Sequence, residues 1–160
     1  MESIRNKLAW GLSAALALLL LAALAGVVHG GPLDPTAPPG STGKNVITSL
    51  PFGISQPGSY VLNSNLTGVS GQNGITVAAN NVTIDFQGFE LVGVPGSFNG
   101  IAHTSGSVSG LTVRNGTIRN WGQSGGWLGI SAGLGLLADG VVLKDNGGGV
   151  IASDGATLTN

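Results

Sequence analysis

The chain has no cysteine, which excludes a disulfide framework, a thiolate zinc site and a cysteine nucleophile. Charge is nearly as scarce, with 6 Lys+Arg and 7 Asp+Glu in 160 residues and a formal net charge of −1. So few charges cannot furnish the polar faces of long amphipathic helices. The basic residues never cluster, so the electrostatic footprint of nucleic-acid binding is missing and no nucleic-acid partner is expected. Of the 2 histidines, His29 lies in the N-terminal apolar region and only His103 lies beyond it. A histidine-based metal site or a Ser–His–acid site has nothing to rest on, and no metal or cofactor is expected. What the chain has instead is glycine, 29 residues of it, among Thr, Asn, Ser, Val and Ile. That mixture suits short strands with a neutral polar outer side, joined by tight turns.

Much of the hydrophobicity sits at the start. Arg5 and Lys7 precede an apolar run from Leu8 to Val28, interrupted by Gly11, Ser13 and Gly26. This is the positive n-region and apolar h-region of a secretory signal. Cleavage is expected after Ala25, with Ala23 at −3, or after Gly30, with Val28 at −3. The rival reading is an uncleaved anchor, since the run is long enough to span a bilayer. Membrane contact is expected only through this segment, and the remainder is expected to be secreted or held at the extracytoplasmic cell surface. Residues 1–30 are thus read as signal peptide or anchor. Residues 31–45, with four prolines and no apolar periodicity, read as a Pro/Gly-rich linker, and 46–160 as the folded domain.

Within that domain a phrase recurs. It runs Asn81-Val82-Thr83-Ile84-Asp85-Phe86-Gln87-Gly88, then Gly110-Leu111-Thr112-Val113-Arg114-Asn115-Gly116, then Gly140-Val141-Val142-Leu143-Lys144-Asp145-Asn146-Gly147, with a fainter copy at Gly155–Asn160. Apolar residues fall on alternate positions and Asn, Asp or Gly close each copy, which is the signature of a strand with one buried face. From Val82 to Leu111 to Val141 the steps are 29 and 30 residues, a solenoid period. A second set interleaves, beginning at Ile75, Ile101, Ile130 and Val150, and a third strand passes through Glu90-Leu91-Val92 and Thr117-Ile118. The interval from the last phrase to Val150 is 9 residues where the earlier ones are 19, so the C-terminal end is either tightened or differently aligned.

These segments, with Ile54-Ser55-Gln56-Pro57-Gly58-Ser59-Tyr60-Val61-Leu62 and Asn73-Gly74-Ile75-Thr76-Val77, resemble the right-handed parallel β-helix family of the pectate-lyase-like superfamily. The likeness is to its exported bacterial repeat proteins and covers residues 46–120 best. It implies an all-β fold, a short right-handed parallel β-helix, and leaves activity open because the shared motifs are core and turn positions. Members usually carry more coils, so the chain is expected to be part of a longer array.

Stacking the phrases as successive coils gives inward columns Val82/Leu111/Val141/Ala156, Ile84/Val113/Leu143/Leu158 and Ile75/Ile101/Ile130/Val150. Outward, Asp85, Arg114 and Lys144 share one column. This is either a solvated salt-linked ladder or a charged strip that contacts acidic sugars. In lyases of the resembled family an Arg or Lys base works beside carboxylates that hold calcium. Here the acids fall short: Asp34 is in the linker, and Asp139, Asp145 and Asp154 sit in turn sequences, leaving Asp85 and Glu90. His103 aligns with Val77, Ala132 and Ala152 and is expected to pack inward as a neutral histidine. Trp127 is expected to be buried in a loop, whereas Trp121 is equally consistent with burial and with stacking on a sugar. Gly133-Leu134-Gly135-Leu136-Leu137-Ala138 fits a dinucleotide-binding pattern, but no helix follows it, so it is set aside. Asn65, Asn81 and Asn115 begin glycosylation sequons, but Asn81 and Asn115 sit within the strand phrase and are expected rather to ladder their amides along the turn. The function expected is a surface scaffold that binds polysaccharide without chemistry, with Asp85, Arg114, Lys144 and Trp121 as contact residues. The alternative is the N-terminal part of a polysaccharide lyase or glycoside hydrolase whose active coils lie beyond Asn160.

Overall fold

The computed structural model describes residues 43–105 and 107–159. The expected export segment and most of the linker lie outside these residues. Every element of the described part is a strand: β1 (Asn45–Ile47), β2 (Phe52–Ile54), β3 (Gly58–Leu62), β4 (Leu66–Thr67), β5 (Ile75–Val77), β6 (Val82–Asp85), β7 (Glu90–Val92), β8 (Ile101–His103), β9 (Leu111–Arg119), β10 (Ile130–Leu134), β11 (Leu137–Lys144), β12 (Val150–Asp154) and β13 (Thr157–Thr159). All of them pair in parallel with strands of the neighbouring coils. The result is a parallel β-solenoid of about four turns.

Two sheets form the walls. One stacks β2, β5, β8, β10 and β12, of which all but β2 begin at the recurrent Gly-Ile or Gly-Val. The other stacks β1, β3, β6, β9, β11 and β13, with β4 and β7 joined to the far half of β9. β9 therefore carries the second and third strands of its coil as one continuous element. It turns the corner at Asn115, whose φ is 58°, and β11 does the same at Gly140, with φ 59°. The preceding corner is a column of left-handed residues, Asn81, Gly110, Gly135 and Gly155. Asn and Gly are the residues that adopt this conformation at least cost, which explains the recurring phrase openings.

The inward columns make the core. Ile75, Ile101 and Ile130 stack in one, Ile84 and Val113 in another, Leu91 and Ile118 in a third, all fully buried. The third phrase, however, is shifted from its expected register. Val141 faces Gly116 and Leu143 faces Ile118, while Ala138 faces Val113. The true partner of Gly110-Leu111-Thr112-Val113-Arg114 is Gly135-Leu136-Leu137-Ala138-Asp139, a step of 25 residues. The segment that fits a dinucleotide pattern is thus a coil repeat: it runs from the end of β10 through the Gly135 corner into β11. The last coil is also shorter, Ile130 to Val150 being 20 residues where Ile101 to Ile130 is 29. Tightening and realignment both occur.

Asparagines stitch the coils together. The Asn99 backbone N–H donates to Asn73 Oδ1 at 3.0 Å, and Asn99 Oδ1 accepts from the Leu128 N–H at 2.8 Å. Asn65 Oδ1 accepts the Glu90 N–H at 3.0 Å, and Asn80 Oδ1 the Ser109 N–H at 2.9 Å. Of the sequon asparagines, Asn65 and Asn115 bond across coils, while Asn81 serves as a left-handed corner.

Candidate functional site

Three places hold the chemistry-bearing side chains. The first is the outward column of the larger sheet. Asp85 and Arg114 lie side by side in register, as expected, but the next residue is Asp139, not Lys144. The shift of the third phrase moves Lys144 beside Arg119 on the adjoining wall, 3.9 Å from Asp145. The column therefore reads acid, base, acid. Arg114 Nη2 lies 3.0 Å from Asp85 Oδ2, and Nε donates to the same oxygen at 3.2 Å. Asp85 Oδ1 accepts the Gln87 N–H at 3.0 Å and the Asn115 amide at 3.2 Å. Burial works against the Asp85 charge, but these donors together with Arg114 outweigh it and hold the carboxyl below its ordinary value of 3.8. A carboxylate so saturated is a positioned structural anion. Glu90 has a similar partner in Arg119, at 2.9 Å on the next wall, a pairing that alternation alone did not reveal.

The second place is His103, which stacks on Val77 as expected and is partly buried. Paired strand contact between β8 and β10 stops at Ala102 and Ser131, and the imidazole takes over: Nδ1 accepts the Gly133 N–H. That bond places the ring proton on Nε2, which is buried without a partner. Burial pushes the His103 pKa below 6.5. The ring is a neutral packing element, in keeping with the inward alignment.

The third place is aromatic, and here the two tryptophans exchange the roles expected of them. Trp121 is 0% exposed, its indole lying between coils against Gly68, Gly74 and Gly100. Its Nε1–H donates to the Leu91 carbonyl at 3.0 Å, and its own backbone N–H donates to Asn146 Oδ1. A ring so enclosed offers no face to a sugar. Trp127 is the exposed one, at 39%, at the outer edge of the loop between β9 and β10. Its indole stacks on Phe98 from the previous coil, with centroids 4.7 Å apart and an interplanar angle of 29°.

Compared with protein-family models, curated proteins and solved structures, the chain matches none.

The arrangement can therefore be judged only on its own chemistry. Among the described residues, no three His, Asp or Glu side chains converge as metal ligands do. The outward wall on the N-terminal side of the Asp85–Arg114 pair is neutral and hydroxyl-rich: Ser59, Thr83 and Thr112 form one column, interrupted by Leu137 and resumed by Thr157. The smaller sheet presents Gly53, Thr76, Ala102, Ser131 and Ile151 outward. Only the Ser59–Thr83–Thr112 column offers hydroxyls on consecutive coils, about 4.8 Å apart.

Proposed function

We propose that the protein is an exported, non-catalytic β-solenoid module of the cell surface that holds polysaccharide against its outer walls. The observation that carries the reading is the hydroxyl column Ser59–Thr83–Thr112, beside an Asp85 already committed to Arg114. A wall of evenly repeated hydroxyls suits a polymer with its own repeat, because many weak bonds add along the chain. Asp85 and Glu90 serve the scaffold through Arg114 and Arg119, and Asp139 accepts the Thr159 hydroxyl of the next coil. Export is supported by the charged and apolar N-terminal segments.

The test is affinity electrophoresis through gels containing xylan, β-glucan or polygalacturonate, alongside ultraviolet absorbance for unsaturated uronate ends. Retardation by at least one polymer, without new absorbance, is the expected result. Thr83→Val with Thr112→Val should reduce that retardation while leaving the far-UV spectrum unchanged, since Val is a strong strand former. Mobility unaffected by every polymer would refute the binding reading. Release of unsaturated ends would refute the non-catalytic one and favour a lyase.

A further inference from the structure

From the stacking of Trp127 on Phe98 and the glycine-only coil that follows, we infer that the loop edge around Trp127 is a binding subsite for the apolar face of a neutral pyranose unit. The inference rests on the polysaccharide reading above and assigns it a specific contact.

The first observation is that the ring is held. Phe98 is half-buried, and its backbone N–H donates to the Gln72 carbonyl at 2.9 Å, which ties its loop to the coil before. Trp127 lies on Phe98 as one ring in a stack, and Gly125 closes against the Nε1 edge, where a Cβ would lie 3.2 Å away. An indole backed in this way has surrendered much of its rotational freedom before any ligand arrives.

The second observation is that the residue stays 39% exposed beside a run of glycines. The Gly129 N–H bonds to the Gly148 carbonyl and Ile130 pairs with Val150, so the next coil passes Trp127, Leu128 and Gly129 with Gly147, Gly148 and Gly149. None of those residues has a side chain to lay over the ring. Gly147 is tightly fitted: a Cβ there would come within 1.9 Å of the Gly122 carbonyl oxygen. The backbones of Gly122 and Trp127 thereby restrict this position to glycine.

The surroundings select the ligand class. Exposed Gln123 and Ser124 border the ring, and Gln123 Nε2 donates to the Asp145 carbonyl at 3.1 Å, leaving its amide oxygen free to accept. The apolar area is one ring wide with an amide and hydroxyl rim. A flat C–H face edged by hydroxyls fits it, whereas an amphipathic helix, which needs a long groove, does not. The charges nearest in the fold are already in ion pairs, Lys144 with Asp145 and Arg119 with Glu90, so a neutral sugar is favoured over an acidic one.

The experiment uses the full exported chain, with cellohexaose as the neutral probe and hexagalacturonate as the acidic one. Cellohexaose should change the tryptophan fluorescence and protect Trp127 from N-bromosuccinimide oxidation, as mapped by peptide mass. Trp127→Ala should weaken cellohexaose binding by roughly tenfold or more. Phe98→Ala, which removes the backing ring, should weaken it by roughly threefold. Protection can be read on the unmutated protein, so a variant that misfolds does not leave the matter open. Binding of cellohexaose with Trp127 oxidised as fast as in its absence, or undiminished in Trp127→Ala, overturns the subsite and leaves the polysaccharide reading standing. Preference for hexagalacturonate overturns the neutral-sugar assignment. Failure of the wild-type chain to bind either hexaose or any polymer overturns both.

Discussion

Trp121 should be the most costly single side chain to remove from this solenoid. Its indole is wholly buried between coils, and its Nε1–H is the donor for the Leu91 carbonyl. Truncating a buried aromatic to alanine costs about 3–5 kcal/mol through lost burial and the cavity left behind. The orphaned carbonyl adds to this unless water enters the cavity, so about 4 kcal/mol is expected for Trp121→Ala. Against a native stability of about 5–15 kcal/mol, the variant would be folded but marginal. The decisive measurement is a double-mutant cycle with Gly68. A Cβ at Gly68 would lie 2.3 Å from the indole, and its three nearest contacts are all Trp121 atoms. Gly68→Ala should therefore cost about 1–3 kcal/mol in the wild type by overpacking. In the Trp121→Ala background the same change should be neutral, or stabilising by about 0.4–1 kcal/mol, because the clash is gone and the unfolded chain is stiffer. Urea denaturation followed by far-UV circular dichroism reads all four corners. If Gly68→Ala costs the same in both backgrounds, or Trp121→Ala costs under about 1 kcal/mol, the interior placement of this ring is wrong.

Two further predictions concern titration and charge. His103 has a folded-state pKa below 6.5, so the unfolded chain binds more protons; its stability contribution is complete above about 6.5 and is lost as pH falls toward the lowered value. His103→Val, which copies the residue below it in the column, should flatten the melting temperature between about pH 4.5 and 7, and an unchanged slope would contradict the burial argument. For the Asp85–Arg114 pair, the arginine side chain is 42% exposed, so solvent screens the attraction. Arg114→Ala should cost about 0.2–1 kcal/mol in chemical denaturation, and a loss of several would mean that the pair is a core element.

The solenoid and most of its strands were legible because alternation and corner chemistry repeat together. Ile75, Ile101, Ile130 and Val150 stack as their spacing implies, even though the last coil is shortened. The third phrase misled because a left-handed corner resets which residues face inward. Leu111 and Val113 precede the Asn115 corner and Ile118 follows it, so apolar alternation resumes in a new frame. Gly140-Val141-Val142-Leu143 matches the frame after the corner as well as the one before it. The better guide lay upstream, in the shared spacing of Gly110 to Arg114 and Gly135 to Asp139. The tryptophans were misjudged for a different reason. Loop hydrophobicity around Trp127 suggested burial, but what admits an indole is space. Gly68, Gly74 and Gly100 provide it for Trp121 from coils distant in sequence. No local pattern reports that coincidence.

The C-terminal coil has one more consequence. Leu158 belongs to the inward column after Ala138, yet it is 62% exposed, and Val150 and Ala152 are only partly covered. Stability in a stacked array is a sum of nearest-neighbour terms, so these uncovered apolar positions are the ones that a further coil stacked on β12 and β13 would bury. The C-terminal coil's hydrogen bonds to the previous coil run along the solenoid axis, like the teeth of a zip. Tension applied along that axis loads these bonds one coil at a time, so the array should lengthen in steps of one coil and not fail at once.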